Sequence, residues 1–262
     1  MNVLITGATG GIGQALIDIM IKNNYHVIAI GRNKAELKTL QNRYRHMILC
    51  YSLDLTNDEE IEYFFNFLNM RKIRIHILIN GAGIGEINYF EKMSYQKMKK
   101  MLDTNVTALT KFCSYFYKNM LRKGGTIVNI SSTAGFQIGG PMMGVYYATK
   151  SYVNSLTYSL YQEARDKKVN IMLLAPGPTK TKFKGIPNEL SKFEKLYITT
   201  PQEVAKEFYQ GLTKEKFLVI PGRINKLMHW VEKIIPDRII LAMVERVQMK
   251  KYRNLKAKKE VK

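Results

Sequence analysis

Only two cysteines, Cys50 and Cys113, occur in 262 residues, too few and too far apart for a disulfide framework or a thiolate metal site. The four histidines, His26, His46, His76 and His229, show no ligand spacing, so no metal is expected. No apolar run approaches the roughly 18 residues that a membrane-spanning helix needs. The N-terminus has neither a basic lead nor a cleavage site, and its apolar run Val3-Leu4-Ile5 belongs to a first strand. These absences point to a cytoplasmic, metal-free protein. Acidic residues are scarce too, 21 Asp and Glu against 41 Lys and Arg, for a net charge of +20. The lysines are spread over the whole chain rather than gathered in a basic stripe with stacking aromatics, which makes a nucleic-acid partner unlikely. Anionic cofactors, acyl carriers or lipid surfaces suit the charge better. The length suits one α/β domain with a full core.

What is present centres on Thr126–Lys150. The short apolar run Ile127-Val128-Asn129-Ile130 is long enough for a buried strand and too short for a helix, and it ends at Ser131 and Ser132. A glycine-rich loop follows, then a helical pattern from near Tyr146 to about Asp166, with Tyr146 and Lys150 one turn apart on one face. A free tyrosine titrates near ~10, and a fixed ammonium beside it favours the phenolate. With a serine hydroxyl to hold an oxygen beside the phenol, the set reads as a device for moving a proton on or off a carbinol oxygen. Chance supplies about two Tyr-x-x-x-Lys matches in such a composition. The pairs Tyr95/Lys99 and Tyr252/Lys256 are therefore expected on solvated helix faces.

Along the chain, Asn2–Thr6 is a strand followed by the run Gly7-Ala8-Thr9-Gly10-Gly11-Ile12-Gly13 and a helix to about Asn23. Strand, glycines and helix start together form a site for a dinucleotide pyrophosphate. A second strand, Tyr25–Ile30, ends in Gly31-Arg32-Asn33. A basic residue there accommodates a 2′-phosphate where an acid would bond ribose hydroxyls, so Arg32 favours NADP(H) over NAD(H). Asp54 and Leu55 end the strand from Met47, and Asp54 either meets an adenine amino group or caps the next helix, where Thr56 or Asn57 is better placed. The strand Ile75–Ile79 stops at Asn80-Gly81-Ala82-Gly83, whose small residues leave room for a ring or ribose. Asn105 lies mid-helix between Ser94 and Met120, either facing the site or exposed. Val169–Ala175 runs into Pro176-Gly177-Pro178-Thr179-Lys180-Thr181, a rigid turn with hydroxyls for a carboxamide or phosphate. Lys182–Tyr197 has the mixed pattern of a lid. Thr200, Pro201 and Glu203 start a helix to about Leu212, and Phe217–Ile220 is the last strand.

Laid out in this order, Thr6–Gly13, Asp54, Asn80–Gly83, Asn105, Ser132, Tyr146, Lys150 and Pro176–Gly177 make the chain resemble a short-chain dehydrogenase/reductase over about Met1–Gly222. The resemblance implies an α/β Rossmann-type, doubly wound parallel sheet of seven strands in the order 3-2-1-4-5-6-7. It implies catalysis by Asn105, Ser132, Tyr146 and Lys150: Tyr146 as acid/base, Lys150 holding the nicotinamide ribose and lowering the tyrosine pKa, Ser132 positioning the carbonyl, and Asn105 anchoring a water. Ser131 is the alternative to Ser132, but the spacing to Gly135 points to Ser132. The cofactor would be held by Gly7, Thr9, Gly10, Gly11, Ile12, Gly13, Arg32, Asn33, Asp54, Leu55, Asn80, Gly81, Ala82, Gly83, Tyr146, Lys150, Pro176, Gly177, Thr179 and Thr181. The implied reaction is NADP(H)-dependent reduction of a ketone or aldehyde, or its reverse, by a homo-oligomer. The alternative is a non-catalytic NADP-binding sensor or scaffold. The substrate is not legible.

The chain departs from the family at Gly10, where NADP-preferring members often carry a basic residue, at Asn80-Gly81, where Asn-Asn is frequent, and at its end. Residues 1–222 would form the NADP-binding domain, and 223–262 a basic, amphipathic helical extension and tail. Ile224, Leu227, Met228, Val231, Ile234 and Ile235 share a face of a helix from Arg223 to Ile235. Ile240, Met243, Val244 and Val247 repeat the pattern after Pro236-Asp237, and the last dozen residues are lysine-rich and expected to be disordered. The extension either packs on the core or a partner subunit, or makes a peripheral membrane contact through 223–249.

Overall fold

Val3, Leu4 and Ile5 are consecutive and all fully buried, and a strand apolar on both sides has to be covered on both. The computed structural model describes residues 1–181 and 194–260. Among the described residues, β1 (Asn2–Thr6), β2 (His26–Gly31), β3 (Ile48–Ser52), β4 (Ile77–Asn80), β5 (Gly125–Ile130), β6 (Val169–Leu174) and β7 (Leu218–Val219) form one sheet in the order β3-β2-β1-β4-β5-β6-β7. Every pairing is parallel. This is the α/β arrangement and strand order that the family resemblance implies.

Helices α1 (Gly11–Lys22), α2 (Lys34–Tyr44) and α8 (Pro201–Thr213) cover one face, where Val3, Ile5, Leu16, Ile17, Met20, Val204 and Phe208 pack together. The other face carries α3 (Asp58–Met70), α5 (Ala108–Lys123) and α6 (Gly144–Glu163), with Leu4, Leu78, Phe64, Phe112 and Val153 in its core. Helix starts follow the local sequence. Asn57 accepts from the Glu59 and Glu60 N–H groups and so caps α3. Thr200 and Glu203 close a reciprocal capping box on α8, with Glu203 N donating to Thr200 Oγ1 at 3.2 Å and Thr200 N to Glu203 Oε2 at 2.7 Å.

Several boundaries differ from expectation. The strand expected from Met47 begins at Ile48, because Arg45–Met47 forms a 3-10 turn. The segment around Asn105 is not plain helix: α4 (Tyr95–Leu102) passes through a π-helical turn, Asp103–Thr107, into α5. Helix α9 (Arg223–Val231) ends four residues before the expected Ile235. The tail expected to be disordered instead continues α10 (Asp237–Glu260). Its Lys, Arg, Leu, Ala and Glu are good helix formers, and Tyr252 is pinned edge-on to Tyr89 with ring centroids 5.2 Å apart. The expected lid lies, through residue 193, outside the described residues; its end forms the short helix α7 (Glu194–Tyr197).

Candidate active site

The strand order reverses between β1 and β4, and in such sheets the crevice at the carboxyl ends of the strands is where ligands bind. A cleft of about 650 Å³ opens there. Its floor is mostly backbone. Gly7 lies at φ +71°, and a Cβ on it would come within 2.7 Å of the Gly81 carbonyl oxygen. A Cβ on Gly13 would stand 2.3 Å from the Gly7 carbonyl oxygen, and one on Gly11 would press into Thr181 at 2.8 Å. Helix α1 starts at this floor with no capping side chain and no acid in its first turn. Its first N–H groups and dipole are therefore available to an anion, and the cradle fits a nicotinamide dinucleotide pyrophosphate.

The wall that carries the candidate proton donor comes from β5 and α6. Ser131 and Ser132 are separated by their partners: Ser131 Oγ donates to the Lys150 carbonyl at 3.0 Å, deep in the core. Ser132, which lines the cleft as Ser131 also does, is hydrogen-bonded to the Tyr146 phenol. Burial pushes the Tyr146 phenol up to about 12, against the Ser132 hydrogen bond, which pulls it down. Burial pushes the Lys150 ammonium down to about 8, and its Nζ donates to the Ile130 carbonyl at 2.9 Å. The expected lowering by the lysine neighbour is not among the causes of the Tyr146 shift: Nζ sits 5.9 Å from the tyrosine ring centre and points at backbone. Gly83 closes over the lysine, with room for a Cβ only at 3.3 Å from Nζ.

Asn105 is buried and its amide is committed. Its Oδ1 accepts from Ile84 N at 2.9 Å, while Nδ2 donates to the Ile84 carbonyl at 2.9 Å and to Thr149 Oγ1 at 3.0 Å. Thr149 Oγ1 in turn donates to the Tyr146 carbonyl at 2.7 Å. Rather than facing the cleft, Asn105 ties the loop following β4 to α6. Asn80 is likewise withdrawn: its Nδ2 donates to Asn129 Oδ1 at 2.9 Å in a buried ladder joining β4 to β5. The Gly81 and Ala82 N–H groups donate to Thr6 Oγ1 at 3.0 and 3.2 Å, so both donors are committed within the protein; Gly81 lines the cleft and Ala82 does not.

Gly7, Gly10, Gly11, Ile12, Gly13, Gly81, Gly83, Pro176, Gly177, Thr179 and Thr181 line the same cleft as Ser132, Tyr146 and Lys150. The Thr179 hydroxyl already donates to the Gly177 carbonyl at 3.0 Å. Thr9 stands behind the loop against Gly31. Arg32, Asn33, Asp54 and Leu55 are outside this cleft, at the ends of β2 and β3. Arg32 and Asn33 are exposed, and Asn33 Oδ1 is spent capping α2 through Glu36 N at 3.1 Å. Burial raises the Asp54 pKa, but the Thr56 N–H and hydroxyl, with Arg32 and Lys100 nearby, outweigh it and hold the carboxyl low. Of the other two Tyr-x-x-x-Lys pairs, Tyr95 is exposed and Lys99 is paired with Asp103 at 2.7 Å. Tyr252 departs from expectation by packing on Tyr89.

The opposite wall was not foreseen. It comes from α9, α10 and the turn between them: Met228, His229, Glu232, Val244 and Gln248 all line the cleft. Asn225 anchors α9 by donating to the Tyr197 and Pro221 carbonyls, both at 3.0 Å. Gln137 Nε2 donates to Glu232 Oε1 at 2.5 Å, and Gln248 Nε2 to the Tyr147 hydroxyl at 3.2 Å. The apolar periodicity of residues 223–247 was the available signal, but it does not say what the stripe faces. Part of that stripe stays outside, with Leu227 62% and Ile234 82% exposed; Ile234 lies beyond the end of α9 at Val231. No helix among the described residues is long and apolar enough to cross a membrane.

The short chain dehydrogenase family model matches residues 1–189. The NADP-dependent 3-hydroxy acid dehydrogenase YdfG of Salmonella typhi is 30% identical over 236 residues, 86% of this chain and 92% of that protein. Among solved structures, the short-chain dehydrogenase from Sphingobium yanoikuyae in complex with NADPH superimposes with a TM-score of 0.77 at 25% identity, covering 90% of this chain and 96% of that one. A 4-hydroxyisoleucine dehydrogenase complexed with NADH does so with 0.74 at 25% identity, over 84% and 97%.

Proposed function

The chain belongs to the short-chain dehydrogenase/reductase family, and on that premise we propose that it reduces a ketone or aldehyde to an alcohol, or runs the reverse, with NADP(H) as cofactor and Tyr146 as proton donor. The family establishes the coarser class, an oxidoreductase acting on an alcohol or carbonyl group with a nicotinamide cofactor. The observation that carries the finer reading is the Ser132–Tyr146 hydroxyl pair lining one cleft with Lys150 and the uncapped start of α1. NADP(H) is favoured over NAD(H) because Arg32 stands exposed at the end of β2 with no carboxylate in its place.

The nicotinamide group supplies the hydride when bound; the chain's own residues handle the oxygen and its proton. Ser132 holds the carbonyl oxygen beside the phenol. Tyr146, pushed up to about 12, carries its proton at neutral pH and gives it to the oxygen as charge develops there. In the reverse direction it must first lose that proton, so alcohol oxidation climbs with pH. Lys150 keeps a positive charge behind the phenol below about 8. Thr149 and Asn105 fix the turn of α6 that carries the phenol.

The test is NADPH oxidation over a panel of ketones and aldehydes by the wild type and Tyr146→Phe. The variant keeps the ring and should bind NADPH as the wild type does, yet lose turnover by at least the ~10²–10⁴-fold that general acid catalysis supplies. Retention of more than about a tenth of the activity would place the proton donor elsewhere. NADPH binding without turnover of any carbonyl by the wild type would favour a sensor.

A further inference from the structure

The two walls of the cleft differ in chemistry, and the difference bears on what enters. Opposite Ser132 and Tyr146, the wall made by the C-terminal helices presents Met228, Val231, Ile240, Met243, Val244 and Val247. These side chains come from two helices that the chain adds after its last strand. Methionines in such a wall adapt to irregular apolar shapes. Two polar groups on this side are hydrogen-bonded within the protein, Glu232 Oε1 by Gln137 and Gln248 Nε2 by the Tyr147 hydroxyl; Gln248 Oε1 is buried without a partner, and burial, with Lys233 nearby, lowers the His229 pKa and so favours its neutral form. A small hydroxy or keto acid would need a cation for its carboxylate. Among the described residues, the cations lining the cleft are Lys150, directed at the Ile130 carbonyl on the catalytic wall, and Lys251, which has an interaction of its own. Glu232 adds an acid to this wall, which opposes an anionic substrate further.

Resting on the carbonyl-reductase reading above, we propose that the substrate is a neutral carbonyl compound, or the matching alcohol, with a long or bulky apolar body that lies against α9 and α10. The reacting oxygen meets Ser132 and Tyr146, and the hydrocarbon part fills the space beside Met228, Met243 and Val247. The C-terminal extension is then the specificity element of the enzyme. The charge-bearing substrates in the names of relatives such as the 3-hydroxy acid dehydrogenase do not suit this wall.

The experiment compares kcat/KM with NADPH for the methyl ketones 2-butanone, 2-octanone and 2-undecanone, with acetoacetate as the anionic comparator, on the full chain. Each buried methylene should raise kcat/KM by about fourfold until the wall is filled, so 2-undecanone should exceed 2-butanone by more than about a hundredfold. Val247→Glu places a charge on the wall at a position 44% exposed, where folding tolerates it. It should lower the ratio of kcat/KM for 2-undecanone to that for 2-butanone at least tenfold. Met243→Gln, close in shape and 53% exposed in the wild type, should act in the same direction with no change in melting temperature. Turnover without length dependence, or acetoacetate as the better substrate, would overturn the apolar class and leave the reductase reading standing. No turnover of any carbonyl by NADPH-bound protein would overturn both.

Discussion

The wall of the cleft under β1, β4 and the start of α1 is made of backbone, whereas the wall under α9 and α10 is made of side chains. On the first, atoms stand so close that Gly7, Gly11 and Gly13 have no space for a Cβ. The geometry comes from strand ends and one helix start, all rooted in the two cores of the sheet. On the second, two helices lie over the body and are held by a few polar ties, from Asn225, Gln137 and Gln248. A backbone wall accepts one ligand shape. A side-chain wall can be altered residue by residue while the first is left alone, and that division lets a family share a cofactor while its substrates differ.

The sharpest way to break the comparison is to put one methyl group on the backbone wall. In Gly13→Ala the new Cβ would face the Gly7 carbonyl oxygen at 2.3 Å, with Ala8 Cα at 3.0 Å, and neither is a flexible side-chain end. The loop must shift, and overpacking of this kind costs about 1–3 kcal/mol. We expect a lower melting temperature and an NADPH affinity reduced by a hundredfold or more in calorimetry. An alanine variant that binds NADPH normally would show that the loop can yield, and the contrast between the walls would fail.

Arg32→Ala tests the same half of the site where it is made by a side chain. Arg32 is exposed, and its proposed work is to hold a 2′-phosphate through charge-assisted hydrogen bonds, each worth ~1.5–3 kcal/mol. NADPH binding should weaken by about one to two orders of magnitude and NADH binding hardly at all. Equal losses for the two cofactors would remove Arg32 as the selector. The fold should be unaffected.

The same contrast explains what could be read before the structure was known. The backbone wall is built from contiguous runs, Gly7–Gly13 and Asn80–Gly83, each next to its own strand, so local sequence announces it. The proposed catalytic residues were legible for the same reason: Ser132 ends a strand, and Tyr146 and Lys150 share one turn of a helix. Residues whose hydrogen bonds go to distant partners were only half legible. Asn80 looked like a ligand contact and proved to be a rung between β4 and β5, because its partner Asn129 is 49 positions away. Asn105 was picked out as an odd polar residue in a helix, but its commitment to Ile84 and Thr149 follows from folding. The α9–α10 wall was visible only as an amphipathic period, and a period records that a face is apolar without naming what it meets.

The smallest effect concerns the tie between α10 and α6. Gln248 Nε2 donates to the buried Tyr147 hydroxyl at 3.2 Å, while Gln248 Oε1 is buried without a hydrogen-bond partner. Tyr147→Phe therefore leaves the whole amide without a partner and should cost about 1–3 kcal/mol, the desolvation of an unmet polar group. Gln248→Leu removes the orphaned oxygen together with the bond and should cost less, about 1 kcal/mol or under. The double variant replaces both polar partners by apolar ones and should be more stable than the sum of the single losses. Denaturant unfolding of the three variants measures this order. NADPH affinity should stay at the wild-type value throughout, since neither residue belongs to the backbone wall, while KM for an apolar ketone rises as α10 loosens. Strictly additive losses would mean that the two side chains do not act as a pair, and α10 would then be held by its apolar contacts with Tyr89 and Ile87.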